Sequence, residues 1–280
     1  MEKRIITQEM LGMYAYRLAE EEKSSATIEK YERDVLKFIA YAAEREVTKD
    51  LVMEYKEHIK ERYTPTSVNS MLAALGSFFT FKGWNDCKVK RLRIQRSVFR
   101  SESKELTKEE YERLLAASKD SGHERINLII QTICGTGIRV SELPCITVEA
   151  VRAGEAVVEC KGKVRLVFIP GKLRKLLTVY IGRQGIDSGP VFVTRTGKPL
   201  NRSNIWKDMK ALCKAAGVSA DKVFPHNLRH LFARTYYGLD KDIAKLADVL
   251  GHSNIETTRG YILSSGREHC RQVERLGLVL

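Results

Sequence analysis

The sequence predicts a mainly α-helical protein with a small antiparallel β-sheet: a helical-bundle N-terminal domain followed by a mixed α/β domain. Three observations predict it. Apolar residues recur at helical spacing through residues 1–87, a dense basic segment interrupts that pattern at 88–104, and two short alternating stretches flank a tight turn farther on. A chain of 280 residues has room for two modest domains. It can bury roughly 70–75% of its unfolded surface without help from disulfides or metals.

The elements follow in order. Leu11, Ala15 and Leu18 mark a first helix, and Ile28, Tyr31, Val35, Ile39 and Ala42 a second. Thr48 is a plausible cap for a third that buries Val52, Tyr55 and Ile59. The fourth has Thr64 as cap and Pro65 at its first helical position, with Val68, Leu72, Leu75 and Phe79 on one face. Four amphipathic helices make a bundle over 1–87. Between Lys88 and Lys104 stand Lys88, Lys90, Arg91, Arg93, Arg96, Arg100 and Lys104 against the single acid Glu102. This segment reads as an extended basic linker, and its charge density suits a strap lying along phosphates. The second domain, 105–280, opens on the capping box Thr107-Lys-Glu-Glu110 and continues into a buried helix from Ile126 to Cys134. Gly154–Cys160 and Val164–Ile169 read as strands around Lys161-Gly162-Lys163. Helices return from Asn201 onward, one opened by Phe224-Pro225-His226 and another running from Asp242 to Leu250 and stopping at Gly251.

Composition narrows the function. With 43% hydrophobic and 30% charged residues the chain is globular rather than disordered. No apolar run approaches the ~20 residues that span a bilayer, and the charged N-terminus lacks the apolar stretch of a secretory signal. The expectation is a cytoplasmic protein. Six cysteines without a C-x-x-C pair argue against a disulfide framework or a zinc knuckle. A net charge of +13 favours a polyanionic partner, most often nucleic acid, with a merely basic soluble enzyme as the alternative.

Four clusters in the second domain carry chemistry: Gly135-Thr-Gly-Ile-Arg139-Val-Ser-Glu142-Leu, Pro225-His226-Asn-Leu-Arg229-His230, Leu250-Gly251-His252, and Thr257-Thr-Arg-Gly-Tyr261. His226 and Arg229, three apart on a helix, share a face and can converge on one anion. His252 follows a glycine-capped helix end, from which a side chain can be aimed into a cleft. Arg139 follows a Gly-Thr-Gly break that lets it leave a buried helix. Singly, each has an ordinary structural reading: a surface charge, a core histidine, a packing tyrosine. His226 and His230 have the i, i+4 spacing of zinc ligands, but Asn227 stands where the glutamate of H-E-x-x-H belongs, so no metal is expected.

Together these clusters resemble the tyrosine recombinase (phage integrase) family over essentially the whole chain. The likeness is to Xer-like enzymes or small element-encoded integrases without an arm-binding domain. It implies that the N-terminal bundle is a core-site DNA-binding domain, joined by the basic linker to a tyrosine recombinase catalytic domain. By this resemblance Arg139, His226, Arg229 and His252 match the phosphate-activating residues, Tyr261 the nucleophile and Glu142 a supporting acid, while the hairpin turn supplies a lysine as general acid. That turn is shorter than usual in the family. Lys161 fits its register best and Lys163 competes with it. His230 reads as a packing or supporting residue. The implied reaction needs no cofactor: strands of a double-stranded DNA recombination site are cut and rejoined through a 3′-phosphotyrosyl link, for integration, excision, inversion or resolution.

The resemblance further implies a homotetramer on two DNA sites. The two domains would clamp the duplex, and the apolar C-terminal tail at 271–280 would dock on a neighbouring protomer or fold back on its own domain. An accessory DNA-bending or directionality protein is a further partner, and nucleoid association follows from DNA binding. Two other functions stay open on the residues: a type IB topoisomerase-like DNA relaxer, and a noncatalytic DNA-binding relative.

Overall fold

The computed structural model describes residues 3–94, 104–160, 163–194, 196–262 and 274–276, apart from the side chains of Cys160 and Lys163. Two compact units emerge, Met1–Arg96 and Ser97–Leu280.

The first unit is a bundle of α1 (Gln8–Glu20), α2 (Ser25–Ala42), α3 (Lys49–Lys60) and α4 (Pro65–Phe81). Threonines cap three of these helices: the hydroxyls of Thr7, Thr48 and Thr64 accept from the amides of Met10, Leu51 and Ser67. The core is aromatic. Phe38 meets Tyr55 edge-on at 5.0 Å, and Tyr14 meets Phe78 at 5.2 Å. Two faces differ from the sequence expectation. In α1 it is Tyr14, not Ala15, that completes the buried stripe with Leu11 and Leu18. In α2 the buried stripe is Val35, Phe38 and Ala42, while Ile28, Tyr31 and Ile39 lie half-buried at its margin. The reason is size: an aromatic ring one position away displaces a smaller apolar side chain from the centre of the bundle.

Residues 88–94 form no regular element and lie against this unit. Val89 and Leu92 pack against its core, and the Asn69 side chain grips the Leu92 backbone, donating to its carbonyl at 2.9 Å and accepting from its amide at 2.7 Å. Lys88, Lys90, Arg91 and Arg93 are left exposed.

The second unit begins with α5 (Lys108–Asp120), whose capping box forms in full between Thr107 and Glu110. The buried α6 (Glu124–Thr136) stops at Gly137, where φ is +67° and a Cβ would lie 2.4 Å from Phe232 Cδ1. A 3₁₀ segment, Val140–Cys145, leads to α7 (Val148–Ala153) and then to β1 (Glu155–Cys160) and β2 (Lys163–Phe168). The strands pair antiparallel from Glu155↔Phe168 to Cys160↔Lys163, and Lys161 and Gly162 between them lie outside the described residues. Helices α8 (Gly171–Gln184), α9 (Arg202–Ala211), α10 (Cys213–Ala216), α11 (Pro225–Asp240), α12 (Ile243–Leu250) and α13 (Ile255–Ile262) follow.

Helix therefore resumes well before Asn201. α8 buries Leu173, Leu177, Tyr180 and Ile181 at helical spacing, but lysines and arginines crowd its other positions and weaken the pattern. α7 is six residues long, too short to show a period. Asp242 is the cap of α12 rather than its first residue, accepting from the amides of Ala244 and Lys245. Among the described residues no helix is long and apolar enough to cross a membrane.

Candidate active site

Chain breaks at helix ends build the site. Because α6 ends at Gly137, the chain turns and presents Arg139 and Glu142 beside the N-terminal half of α11, against which α6 packs. α11 starts at Pro225 and puts Arg229 one turn in, on its buried face. α12 ends at Gly251 in the left-handed conformation, and the next residue is His252. α13 then carries Tyr261 back to the same place, in contact with α11.

Glu142 is the hub. Only 4% exposed, it takes Arg139 Nη1 on Oε1 at 2.7 Å, and on Oε2 it takes the Arg139 amide at 2.8 Å and Arg165 Nη2 at 2.7 Å. Arg229 Nη1 stands 3.9 Å from Oε2. Burial alone would push this carboxyl up, but the Arg139 amide and guanidinium, with Arg165 beside them, outweigh it and hold the group below the usual carboxylate range. Arg229 is almost fully enclosed and donates to the carbonyls of Gly137 and Leu250 and to His252 Nε2. Its Nε is buried without a partner among the described residues. Burial first, and then the Arg139 charge, lower its pKa to about 10, so it stays cationic at neutral pH.

His252 is fixed from both sides. A guanidinium only donates, so Nε2 accepts from Arg229 at 3.0 Å and we assign the ring proton to Nδ1, 2.9 Å from Thr258 Oγ1. Burial, followed by the charges of Arg229, Arg139 and Arg165, brings its pKa down to about 4, so the ring is neutral at pH 7. Tyr261 is buried among three imidazoles. His230 stacks on it at 4.1 Å and 24°, while His226 and His252 each lie at 5.2 Å. The Arg229 guanidinium sits 5.9 Å from the Tyr261 ring. A cleft of about 570 Å³ opens beside Arg139, Arg165, Gly251, His252, Ser253 and Asn254. Such an arrangement concentrates fixed positive charge and hydrogen-bond donors next to a phenol, which is what an incoming phosphodiester requires.

Arg139, Glu142, His226, Arg229, His252 and Tyr261 thus meet in one place, with His226 exposed at its rim. His230 is the stacking partner of Tyr261. Lys161 lies outside the described residues, as do Arg96, Arg100 and the tail at 271–280 except for 274–276. Asn227 is a structural tie, donating to the carbonyls of Lys104 and Lys222 at 2.8 Å. Two site residues escaped the sequence reading. Thr258 lies inside a quoted cluster, but nothing in the pattern pairs it with His252. Arg165 had a usable signal: it is a charged residue paired with Val158, on the face of the hairpin that buries Ala156, Val158 and Val167.

Comparison with known proteins concerns the family and the fold. Residues 104–267 match the phage integrase family, and residues 13–86 match the N-terminal SAM-like domain of phage integrases. The tyrosine recombinase XerA of Pyrococcus furiosus is 30% identical over 100% of this chain and 98% of its own length. The tyrosine recombinase XerD of Halalkalibacterium halodurans is 30% identical over 85% of this chain and 87% of its own. Among solved structures, a lambda integrase dimer bound to a core site matches with a TM-score of 0.75 at 18% identity, covering 94% of this chain and 79% of that one. XerH bound to its difH substrate before cleavage matches at 0.70 and 20% identity, covering 90% of this chain and 79% of that one. These structures establish the shared fold.

Proposed function

This chain belongs to the phage integrase family as a tyrosine site-specific recombinase, and from that premise we propose that Tyr261 is the residue that cuts DNA and that the cluster around Glu142 activates the phosphate it attacks. The observation that carries the proposal is the convergence of Arg139, Arg229 and His252 on the neighbourhood of one buried tyrosine.

In the proposed reaction the Tyr261 oxygen attacks the scissile phosphorus as the bond to the 5′ oxygen breaks. A 3′-phosphotyrosyl ester and a free 5′ hydroxyl result. Arg139 and Arg229 hold the nonbridging oxygens. An ordinary tyrosine, with a pKa near ~10, attacks poorly until a cationic site favours its phenolate. His252, neutral and within the cluster, accepts the phenol proton on Nε2 once Arg229 turns its Nη2 from that nitrogen to the phosphate; the anionic phosphodiester offsets the arginine field that keeps the ring deprotonated. The 5′ oxygen takes its proton from Lys161, with Lys163 as the competing donor. Since one phosphoester replaces another, attack by a different 5′ hydroxyl reverses the step without ATP and exchanges strands.

We extend the proposal to a double-stranded DNA site bound through the exposed basic residues of 88–94 and to a homotetramer on two sites. A lambda integrase dimer on a core site and a lambda integrase tetramer on a Holliday junction are the precedents among structures of this fold. In this proposal the charge on the phosphate is met by Arg139 and Arg229, so cleavage is expected to proceed in EDTA. The decisive variant is Tyr261→Phe. It should abolish the SDS-stable DNA adduct on a suicide substrate while leaving DNA binding within a few fold. An adduct that persists in Tyr261→Phe means that another residue attacks.

A further inference from the structure

Resting on that reading of the Tyr261 site, we propose that Arg165 is a positioning residue, one that holds the lysine-bearing hairpin in register with the phosphate-binding arginines. Its position is chemically unusual. Cross-strand pairing sets Arg165 opposite Val158, on the face where Ala156, Val158 and Val167 are buried. A guanidinium there is costly unless its donors are satisfied. Both terminal nitrogens are: Nη1 donates to the Val249 carbonyl at 2.9 Å, and Nη2 to Glu142 Oε2 at 2.7 Å. The stem crosses Gly251 so closely that a Cβ there would sit 2.5 Å from Arg165 Cδ and 2.7 Å from Nε. One side chain therefore joins the hairpin to the end of α12, just before His252, and to the carboxylate that orients Arg139.

The hydrogen bonds separate holding from binding. Arg139 commits only Nη1 of its side chain among the described residues and remains a third exposed, so it has donors left for a phosphate. Arg165 has given both terminal nitrogens to protein acceptors and is 13% exposed. A two-stranded hairpin is marginal by itself. Its outer face here, with Val157, Val164, Leu166 and Phe168, is exposed, so its placement depends on the inner face. Among the described inner-face residues Arg165 is the charged anchor, and it follows Lys163 by two positions and Lys161 by four. Loosening it should misplace the proton donor more than the phosphate.

The test uses the full-length chain with Arg165→Lys and Arg165→Met, assayed on two suicide substrates: ordinary DNA, and DNA whose leaving 5′ oxygen is replaced by sulfur. Sulfur leaves without being protonated, so a misplaced acid is no longer felt. Lysine keeps the charge and most of the stem but cannot span both acceptors as a planar fork does. Both variants should bind DNA within a few fold of the parent and cleave ordinary DNA roughly 10–10²-fold more slowly, up to the lower end of a general acid's contribution. On the sulfur substrate both should return to within a few fold of the parent. Parental rates on ordinary DNA, or equal losses on the two substrates, would overturn the proposal, the latter because a phosphate contact or a merely structural role is insensitive to the leaving group. Melting curves identify a variant that fails to fold; if Arg165→Met does, Arg165→Lys decides. A parent chain that forms no Tyr261-dependent adduct instead sinks the reading on which this inference rests.

Discussion

In the first unit the one buried charged side chain among the described residues is Asp34, paired with Lys30 one turn away on the same helix. The second unit buries Glu142 and Arg229 together, with His230 and Thr258 close by. The first is built mainly for stability, with three threonine-capped helices around an aromatic core, although Tyr55 Oη is buried there without a partner among the described residues. The second departs from that pattern most heavily at its site, taking arginines and a carboxylate out of water where apolar side chains of similar volume are often as stable or more so. A local breach of this kind marks a site kept for chemistry. It teaches that substitutions in the two units should fail in different ways.

Arg229→Ala should show the largest effect, because it strikes both properties. It removes a buried cation that ties Gly137, Leu250 and His252 together. Denaturant melts should show a loss of about 3 kcal/mol or more, and adduct formation should fall by at least ~10²-fold. Phe38→Ala in the first unit should cost a similar amount, about 3–5 kcal/mol, the usual range for emptying an aromatic core position. Its adduct yield per folded molecule on a bound substrate should nevertheless stay near parental. A large loss of chemistry there would break the division between the units.

Arg139→Ala sharpens the contrast from the other side. Glu142 keeps the Arg139 amide and Arg165 as partners, so this variant should cost less stability than Arg229→Ala yet still slow cleavage by ~10²-fold. The combined neutralisation of Arg91, Arg93 and Arg96 should leave chemistry alone and weaken binding to every DNA sequence. The salt slope of binding should flatten by roughly 0.9 for each phosphate that is no longer neutralised. An unchanged slope removes this segment from the interface.

A further contrast concerns pH. His252 is neutral in the fold, its pKa lowered from 6.5 to about 4. Folding therefore disfavours its proton, and the contribution is intact above pH 6.5 and fades as pH falls toward 4. Melting temperatures across that window should fall less steeply in His252→Gln than in the parent. Identical slopes would show that the ring titrates normally.

How much of this is legible in the sequence depends on how local the signal is. Thr64-Pro65 and the Thr107 capping box state their own structure, since cap, spacing and helix lie within a few residues. Tyr14 and Phe38 escape a periodicity argument because it finds a face but does not rank the side chains that compete for its centre. α7 and α8 escape it for opposite reasons, the one too short for a period and the other masked by its basic residues. Within the site, glycine breaks and His/Arg spacing point to Arg139, Arg229 and His252. What they do not contain is the joint made by Arg165, which depends on strand register and on Gly251 lying more than eighty residues away. The same holds for the tautomer of His252, which requires knowing that Arg229 and Thr258 face opposite nitrogens.

The most direct test of the central claim is chemical identification of the attached residue. The full-length chain would be trapped on a suicide DNA substrate, digested with protease and nuclease, and the modified peptide sequenced by mass spectrometry. The account predicts a nucleotide 3′-phosphate carried on Tyr261, with no other tyrosine labelled. Attachment at a different residue, or through a 5′-phosphate, would contradict it.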